Sequence, residues 1–418
     1  MINMIGGGMI AEGGFGCVFH PALQCSEKDD VLDDTEYISK IVKRDFSSEN
    51  EMKISKKIRN MVFKTTLEWS DFFNVAVEQC DMDISKIESK EKNKCESFSR
   101  YPNSMFINLK MPYIEGKTLS DHLKDDSLTD KSRFLTFQRG YIQLLISLEK
   151  LIKGGIVHND IKSGNIIFSE DKEKPIIIDF GLSFLMDKGS DLYPIKSLDD
   201  EIYKKYFYIY APDYYIWAPE IHLLNYLIHK NPYPDKDKIE QVAHEIVLQN
   251  PIFQKYFSVD FRNRYEKSLI TQFTQLIKCF PTTSVGRLKL LNKIIADSWK
   301  TWDNFSLSMF YIKFLAFSHG KKEFFKNKYV EKLLEILLIN ISPISNSRVS
   351  PKKSRRSFQD WLIDGGPDVF SAITDHVDNI GGKNSKLYRK SITKNDSKMR
   401  ALSRNLAVKK TRAGKRNI

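Results

Sequence analysis

The 418-residue chain has no apolar run approaching the ~20 residues that a bilayer-spanning helix needs. Its richest stretch, Leu333 to Ile341, is broken by Glu335 and predicts a buried helix. Cysteine is scarce: Cys17, Cys25, Cys80, Cys95 and Cys279, an odd number with no CxxC pair. That pattern predicts reduced thiols in a cytosolic setting. The opening residues, MINMIGGGMI, lack the basic segment and small-residue cleavage site of a secretory leader, and none is expected. Apolar residues make up 41% of the chain, which excludes a wholly disordered protein, and the length allows two lobes around a generous core. Acidic residues all but vanish after Lys383. From there to Ile418, thirteen Lys or Arg face only Asp396, which accounts for the whole net charge of +12. The folded body is therefore close to neutral.

The most informative stretch is Gly155 to Gly181, GIVHNDIKSGNIIFSEDKEKPIIIDFG. The apolar runs Ile166-Ile167-Phe168 and Ile176 to Ile178, separated by a polar turn, predict a hairpin. Its polar flanks, Asp160, Lys162, Asn165 and Asp179, then meet on one rim. Phosphoryl transfer from ATP needs such a set. A carboxylate (Asp160) takes the acceptor's proton, and a cation (Lys162) offsets charge growing on the γ-phosphate. Oxygen donors (Asn165 and Asp179) suit Mg²⁺ or Mn²⁺. Any one of these residues alone reads as a surface polar group; the ordered set does not.

The spacing Asp-x-Lys-x-x-Asn followed by Asp-Phe-Gly resembles the catalytic core of the eukaryotic protein kinases. The resemblance implies an α+β, bilobal fold. Residues 1–112 would form a small β-rich lobe, and 113–365 a helical lobe with a helical insertion at about 221–300. Residues 366–418 would be a basic, flexible tail.

Further motifs extend the resemblance in chain order. IAEGGFGCVF (Ile10 to Phe19) is similar to the glycine-rich loop. Gly13 and Gly16 would let backbone N–H groups approach the phosphates, Phe15 would form the tip, and Val18 would cover the adenine. Ala11 stands where the first glycine is expected. In Tyr37 to Lys43 the phosphate-facing lysine would be Lys40, with Lys43 as runner-up on the opposite face. The helix after it, capped by Ser47 or Ser48, supplies Glu51 as partner, or Glu49. Phe72 to Val77 and Met105 to Met111 predict strands, and Cys80 to Asn103 a surface loop. Met111 would be the gatekeeper. Pro112 has no N–H, so Ile114 would donate to the adenine edge, and Ile167 joins the nucleotide-binding set.

Phe134 to Ile152 predicts a helix beneath the catalytic stretch. Gly181 to Ala218-Pro219-Glu220 resembles an activation segment, with Asp213 near the position where serine/threonine kinases carry Thr. Asn159 replaces an arginine that often clamps a phosphorylated loop, which implies activity independent of loop phosphorylation. Ile239 to Leu248, Leu269 to Phe280 and Leu288 to Ala296 predict helices of the insertion. Asp303, in SWKTWDNFSLSMFYIKFL, would hold the catalytic-loop backbone. Arg356, or its neighbour Arg355, would pair with Glu220.

Lys162 two residues after Asp160 matches the serine/threonine class, so the implied activity is Mg·ATP-dependent phosphorylation of protein Ser or Thr. Two other readings stand beside it: a small-molecule kinase of the aminoglycoside or choline type, and a pseudokinase that binds without turnover. HPALQC and WDNFSLS, with the Lys/Asn/Ile-rich composition, are similar to kinases of large nucleocytoplasmic DNA viruses, which implies work in the host cytoplasm or virion. KKTRAGKR in the tail suits a nuclear address or contact with nucleic acid or acidic proteins. No membrane partner is expected.

Overall fold

The computed structural model describes residues 7–13, 16–24, 34–61, 63, 68–187, 190–318 and 328–364. The basic tail and Phe15 lie outside the described residues. The N-terminal part is a five-stranded antiparallel sheet, ordered β1-β2-β3-β5-β4. Its strands are β1 (Gly8–Gly13), β2 (Gly16–His20), β3 (Tyr37–Lys43), β4 (Glu78–Met82) and β5 (Phe106–Pro112), with helix α1 (Phe46–Arg59) after β3. Alternation along β3 divides its side chains between two faces. Val42 packs with Met52, Leu109 and Met111, and Ile38 lies against them. Ile41 packs on the other side with Cys17, Phe19 and Phe98. Gly16 is needed where β2 meets β3, because a Cβ there would lie 2.1 Å from the Ile41 carbonyl oxygen.

Four expectations about this part need correcting. Phe72 to Val77 is not a strand. Phe73, Asn74, Val75 and Ala76 are all buried, so burial on both sides, rather than pleating, explains the apolar density. The segment instead runs along Ile177, exchanging backbone hydrogen bonds through Asn74 and Phe72. Helix α1 is capped by Asp45, whose carboxylate accepts the Ser47 and Ser48 N–H groups while the Ser48 hydroxyl bonds back to the Asp45 N–H. The presumed loop from Cys80 to Asn103 carries most of β4 and two short helices, α2 (Ser89–Lys92) and α3 (Glu96–Arg100). Its few apolar residues are its anchors: Phe98 is buried, stacks on Phe19 and meets Phe106 edge-on. Finally, Cys17 and Cys95 form a disulfide, and Cys80 is also disulfide-bonded. Only exposed Cys279 is free among the described cysteines, which removes the reduced-thiol argument for a cytosolic setting.

The rest of the chain is mainly helical. After β6 (Gly116–Thr118) come α4 (Leu119–Lys124) and α5 (Asp130–Lys153), then β7 (Ile156–Val157), β8 (Ile166–Ser169), β9 (Lys174–Ile177) and β10 (Phe184–Leu185). Strands β8 and β9 form the expected hairpin, with β6 on the open side of β8. Helices α6 (Ile202–Tyr206), α7 (Pro219–His229), α8 (Lys236–Leu248), α9 (Pro251–Tyr256) and α10 (Val259–Lys278) follow. The last are α11 (Ser284–Ser318), α12 (Lys328–Asn340) and α13 (Pro351–Asp364). Leu288 to Ala296 is thus not a separate helix but the first part of the 35-residue α11. One continuous core joins the apolar faces of α5 and α11, including Phe137, Tyr141, Leu144, Trp302 and Phe305. That core supports the turn between β7 and β8 from below.

Candidate active site

The segment between β7 and β8 is held by its backbone. Asp303 of α11 is buried and accepts the N–H groups of His158 at 2.8 Å and Asn159 at 2.9 Å. Burial pushes its carboxyl up, against the pull of His158 and the two N–H donors. The Trp217 indole donates to the Asn159 carbonyl at 3.0 Å, and the Ser183 hydroxyl to that of His158 at 3.1 Å. Asn159 has φ +64°, a left-handed conformation that Asn tolerates better than most residues.

This frame points Asp160 into a cluster. The Asn165 amide donates to Asp160 Oδ2 at 2.7 Å and to its carbonyl at 2.9 Å. Lys162 Nζ lies 2.9 Å from the same carboxylate oxygen. The other oxygen, Oδ1, accepts the Tyr214 hydroxyl, which also lies 3.2 Å from Lys162 Nζ. Asp213, which the sequence pointed to for this part of the segment, is exposed; its neighbour Tyr214 reaches the carboxylate.

A second charged cluster joins β3, α1 and the segment after β9. Lys40 Nζ donates to both Glu51 oxygens at 2.8 Å and to Asp179 Oδ1 at 2.9 Å. Lys43 points away, over the Tyr101 ring. Burial opposes the charge on Lys40, but Asp179 and Glu51 outweigh it and hold the ammonium above its usual range. Asp179 stays below the usual carboxylate range because Lys40 overcomes its burial. Burial pushes Glu51 up, against the pull of Lys40. Asp179 has φ +64°, a costly conformation for a non-glycine residue. Buried Phe180 supports it, packed between Phe73 and His158. Helix α1 is tied to the following residues by the Ser47 hydroxyl on the Gly181 carbonyl, 3.0 Å, and the Asn50 amide on the Ser183 carbonyl, 2.5 Å.

The remaining sequence-selected residues lie on β1, β2, β5 and β8 and on the segment after β5. Gly13 and Gly16 close the β1–β2 hairpin, and Val18 is the register partner of Lys40. Ala11 pairs with Val18 in extended strand beside a bulge, a conformation that needs no glycine. Met111 is buried opposite Ile38 on β5. The Tyr113 N–H is spent on the Glu36 carbonyl at 2.8 Å, which leaves the Ile114 N–H as the next donor along the connecting segment. Ile167 is half-buried on β8, between Thr118 and Ile176. Asn165 and Asp179 offer the hard oxygen donors that Mg²⁺ takes, so the residues present fit that ion.

One expected tie is made by a different residue. Glu220 pairs with Arg348 at 2.6 Å, both side chains being buried. Arg355 instead grips Glu149, and Arg356 is exposed. Arg348 lies in a connecting segment before α13, where no periodicity marks it. Tyr214 was equally hidden among the tyrosines of its segment.

Comparison with known proteins agrees with this arrangement. A family model described as "Protein kinase domain" matches residues 9–299. The chain is similar to a probable serine/threonine-protein kinase, fnkE, of Dictyostelium discoideum (32% identity over 22% of this chain and 7% of that protein). It is similar to protein kinase YpkA of Yersinia pseudotuberculosis (36% over 16% of this chain and 9% of that protein). A probable bifunctional tRNA threonylcarbamoyladenosine biosynthesis protein of Methanosphaera stadtmanae shares 27% identity over 40% of this chain and 28% of its own length. The match thus spans only a small part of these relatives. With the family model covering well over half of the sequence around both charged clusters, the chain belongs to the protein kinase family.

Proposed function

We propose that this protein transfers the γ-phosphate of ATP to Ser or Thr hydroxyls of protein substrates. The observation that carries the reading is Lys40, held by Glu51 and Asp179 across from Asp160 and Asn165. Lys40 would bind the α- and β-phosphates, with Gly13, Gly16 and Val18 above and Met111, Ile114 and Ile167 around the base. Asn165 and Asp179 would hold Mg²⁺, which when bound neutralises charge on the phosphate oxygens. As the acceptor oxygen bonds to the γ-phosphorus, the bond from that phosphorus to the β–γ bridging oxygen breaks and ADP leaves. Asp160 accepts the acceptor's proton, and Lys162 offsets the developing negative charge. Lys162 at that spacing, and similarity to the probable serine/threonine-protein kinase of Dictyostelium discoideum, support the serine/threonine class.

Radiolabelled ATP with dephosphorylated casein tests the proposal. Wild type should label Ser and Thr, while Asp160→Ala and Asp179→Ala should each lower kcat about a hundredfold or more. Label on Tyr would overturn the serine/threonine class. Mg·ATP binding without transfer would show a binding module instead.

A further inference from the structure

The Asp160 carboxylate has about four lone-pair positions for hydrogen bonds, two on each oxygen. Asn165 Nδ2 donates to Oδ2 at 2.7 Å, and Lys162 Nζ stands 2.9 Å from the same oxygen as its ion-pair partner. On Oδ1 the Tyr214 hydroxyl takes one position and leaves one. Two groups stand at Oδ2 and one at Oδ1, so the less crowded oxygen for an acceptor's proton is Oδ1, the one that Tyr214 holds.

Tyr214 is itself well fixed. Its N–H bonds to the Ala211 carbonyl at 3.0 Å, and its own carbonyl accepts the Trp217 N–H at 3.1 Å, so the backbone turns tightly on both sides. Its ring meets Trp217 edge-on with centroids 4.9 Å apart, and the Trp217 indole is bonded to the Asn159 carbonyl of the catalytic segment. Lys162 Nζ stands 5.7 Å from the ring centroid and 3.2 Å from the hydroxyl. Burial and the Asp160 carboxylate push the phenol far above its ordinary range, so it stays a protonated donor.

We infer that Tyr214 is a positioning residue for phosphoryl transfer: its hydroxyl fixes the Asp160 carboxylate so that one lone pair of Oδ1 faces the acceptor. This rests on the kinase reading above. Tyr214 also ties Lys162 to that carboxylate, so base and cation are set by one side chain of the activation segment. The hydroxyl remains at its post while the acceptor takes the vacant position. Removing it frees the carboxylate to rotate without touching the nucleotide side of the cleft.

The test is Tyr214→Phe in the full chain, which keeps the ring against Trp217 and deletes only the hydroxyl. With casein as acceptor, kcat should fall about tenfold to a hundredfold, as expected for loss of a hydrogen bond to a charged group. KM for ATP should stay within about twofold, and the thermal midpoint within a few degrees. An unchanged kcat would overturn the inference. A raised kcat would overturn it too, since the hydroxyl would then be competing with the acceptor. So would loss of kcat, ATP affinity and thermal stability together, which would mark a purely structural role. Wild type that binds Mg·ATP but transfers nothing would sink the kinase reading and this inference with it; active wild type matched by Tyr214→Phe would sink the inference alone.

Discussion

Arg348→Met probes the tie between the end of the activation segment and the helical core. Arg348 Nη2 meets Glu220 Oε2 at 2.6 Å, with side-chain exposures of 0% and 1%. Arg348 also donates to Thr301 Oγ1 at 3.1 Å and the Ser342 carbonyl at 3.3 Å. Glu220 Oε1 has no protein partner among the described residues. Methionine therefore leaves a buried carboxylate with nothing to balance it, a loss of about 3–5 kcal/mol. With a urea dependence of about 3 kcal/mol/M, the midpoint should fall by about 1 M or more. Arg356→Met is the control: exposed on α13, it should change stability by less than about 0.5 kcal/mol. The double variant Glu220→Met/Arg348→Met removes both charges and should recover much of the loss, with a coupling above about 2 kcal/mol. Urea unfolding followed by circular dichroism measures these four proteins and the Glu220→Met single variant that closes the cycle. Loss of less than about 1 kcal/mol in Arg348→Met, with a larger loss in Arg356→Met, would refute the reasoning and restore the helix arginine as the partner of Glu220.

Two other outcomes follow from the same structure. Helix α1 is already latched to the activation segment by the chain's own side chains: Lys57 pairs with Asp187 at 2.6 Å and Lys53 with Asp191, Asn50 sits between the Ser183 carbonyl and the Tyr206 hydroxyl, and Phe46 is edge-on to Tyr206. Phosphatase-treated protein should therefore keep its turnover on casein; turnover abolished by phosphatase would count against this latch. His222 is buried, and its ring is pushed down to about 3. The unfolded chain takes up that proton below about pH 6.5 while the folded chain does not, so stability falls as pH drops from about 6.5 toward 3. The fall is about 1.4 kcal/mol per pH unit from this group, and His222→Gln should flatten the urea-midpoint profile by that amount. Equal slopes in the two proteins would rule out the assignment.

How much was legible depended on how locally each feature is encoded. The β8–β9 hairpin, α5 and α8 follow from runs whose periodicity lies within the element itself, while Leu269 to Phe280 caught only the second half of α10. Lys40 could be preferred over Lys43 because strand alternation puts them on opposite faces, and the structure has Lys40 on Glu51 and Lys43 on Tyr101. Asp303 under the catalytic segment was likewise reached from its motif. Phe72 to Val77 failed for the opposite reason: apolar density reports burial, and burial between two parts of a fold looks like a strand. Asp45 was missed as a cap because two serines beside it fit the same rule.

The order of Asp160, Lys162, Asn165 and Asp179 along the chain, with apolar runs between, was enough to indicate the chemistry, since catalytic spacing is carried by a few consecutive turns of backbone. The choice of partners for groups distant in sequence was left to the tertiary structure. Arg348 reaches Glu220, Cys17 reaches Cys95, and Tyr214 reaches Asp160 because packed helices and strands bring those atoms together. A buried charge or donor bonds to whatever the fold places within about 3 Å, and that neighbour has no fixed offset in the chain.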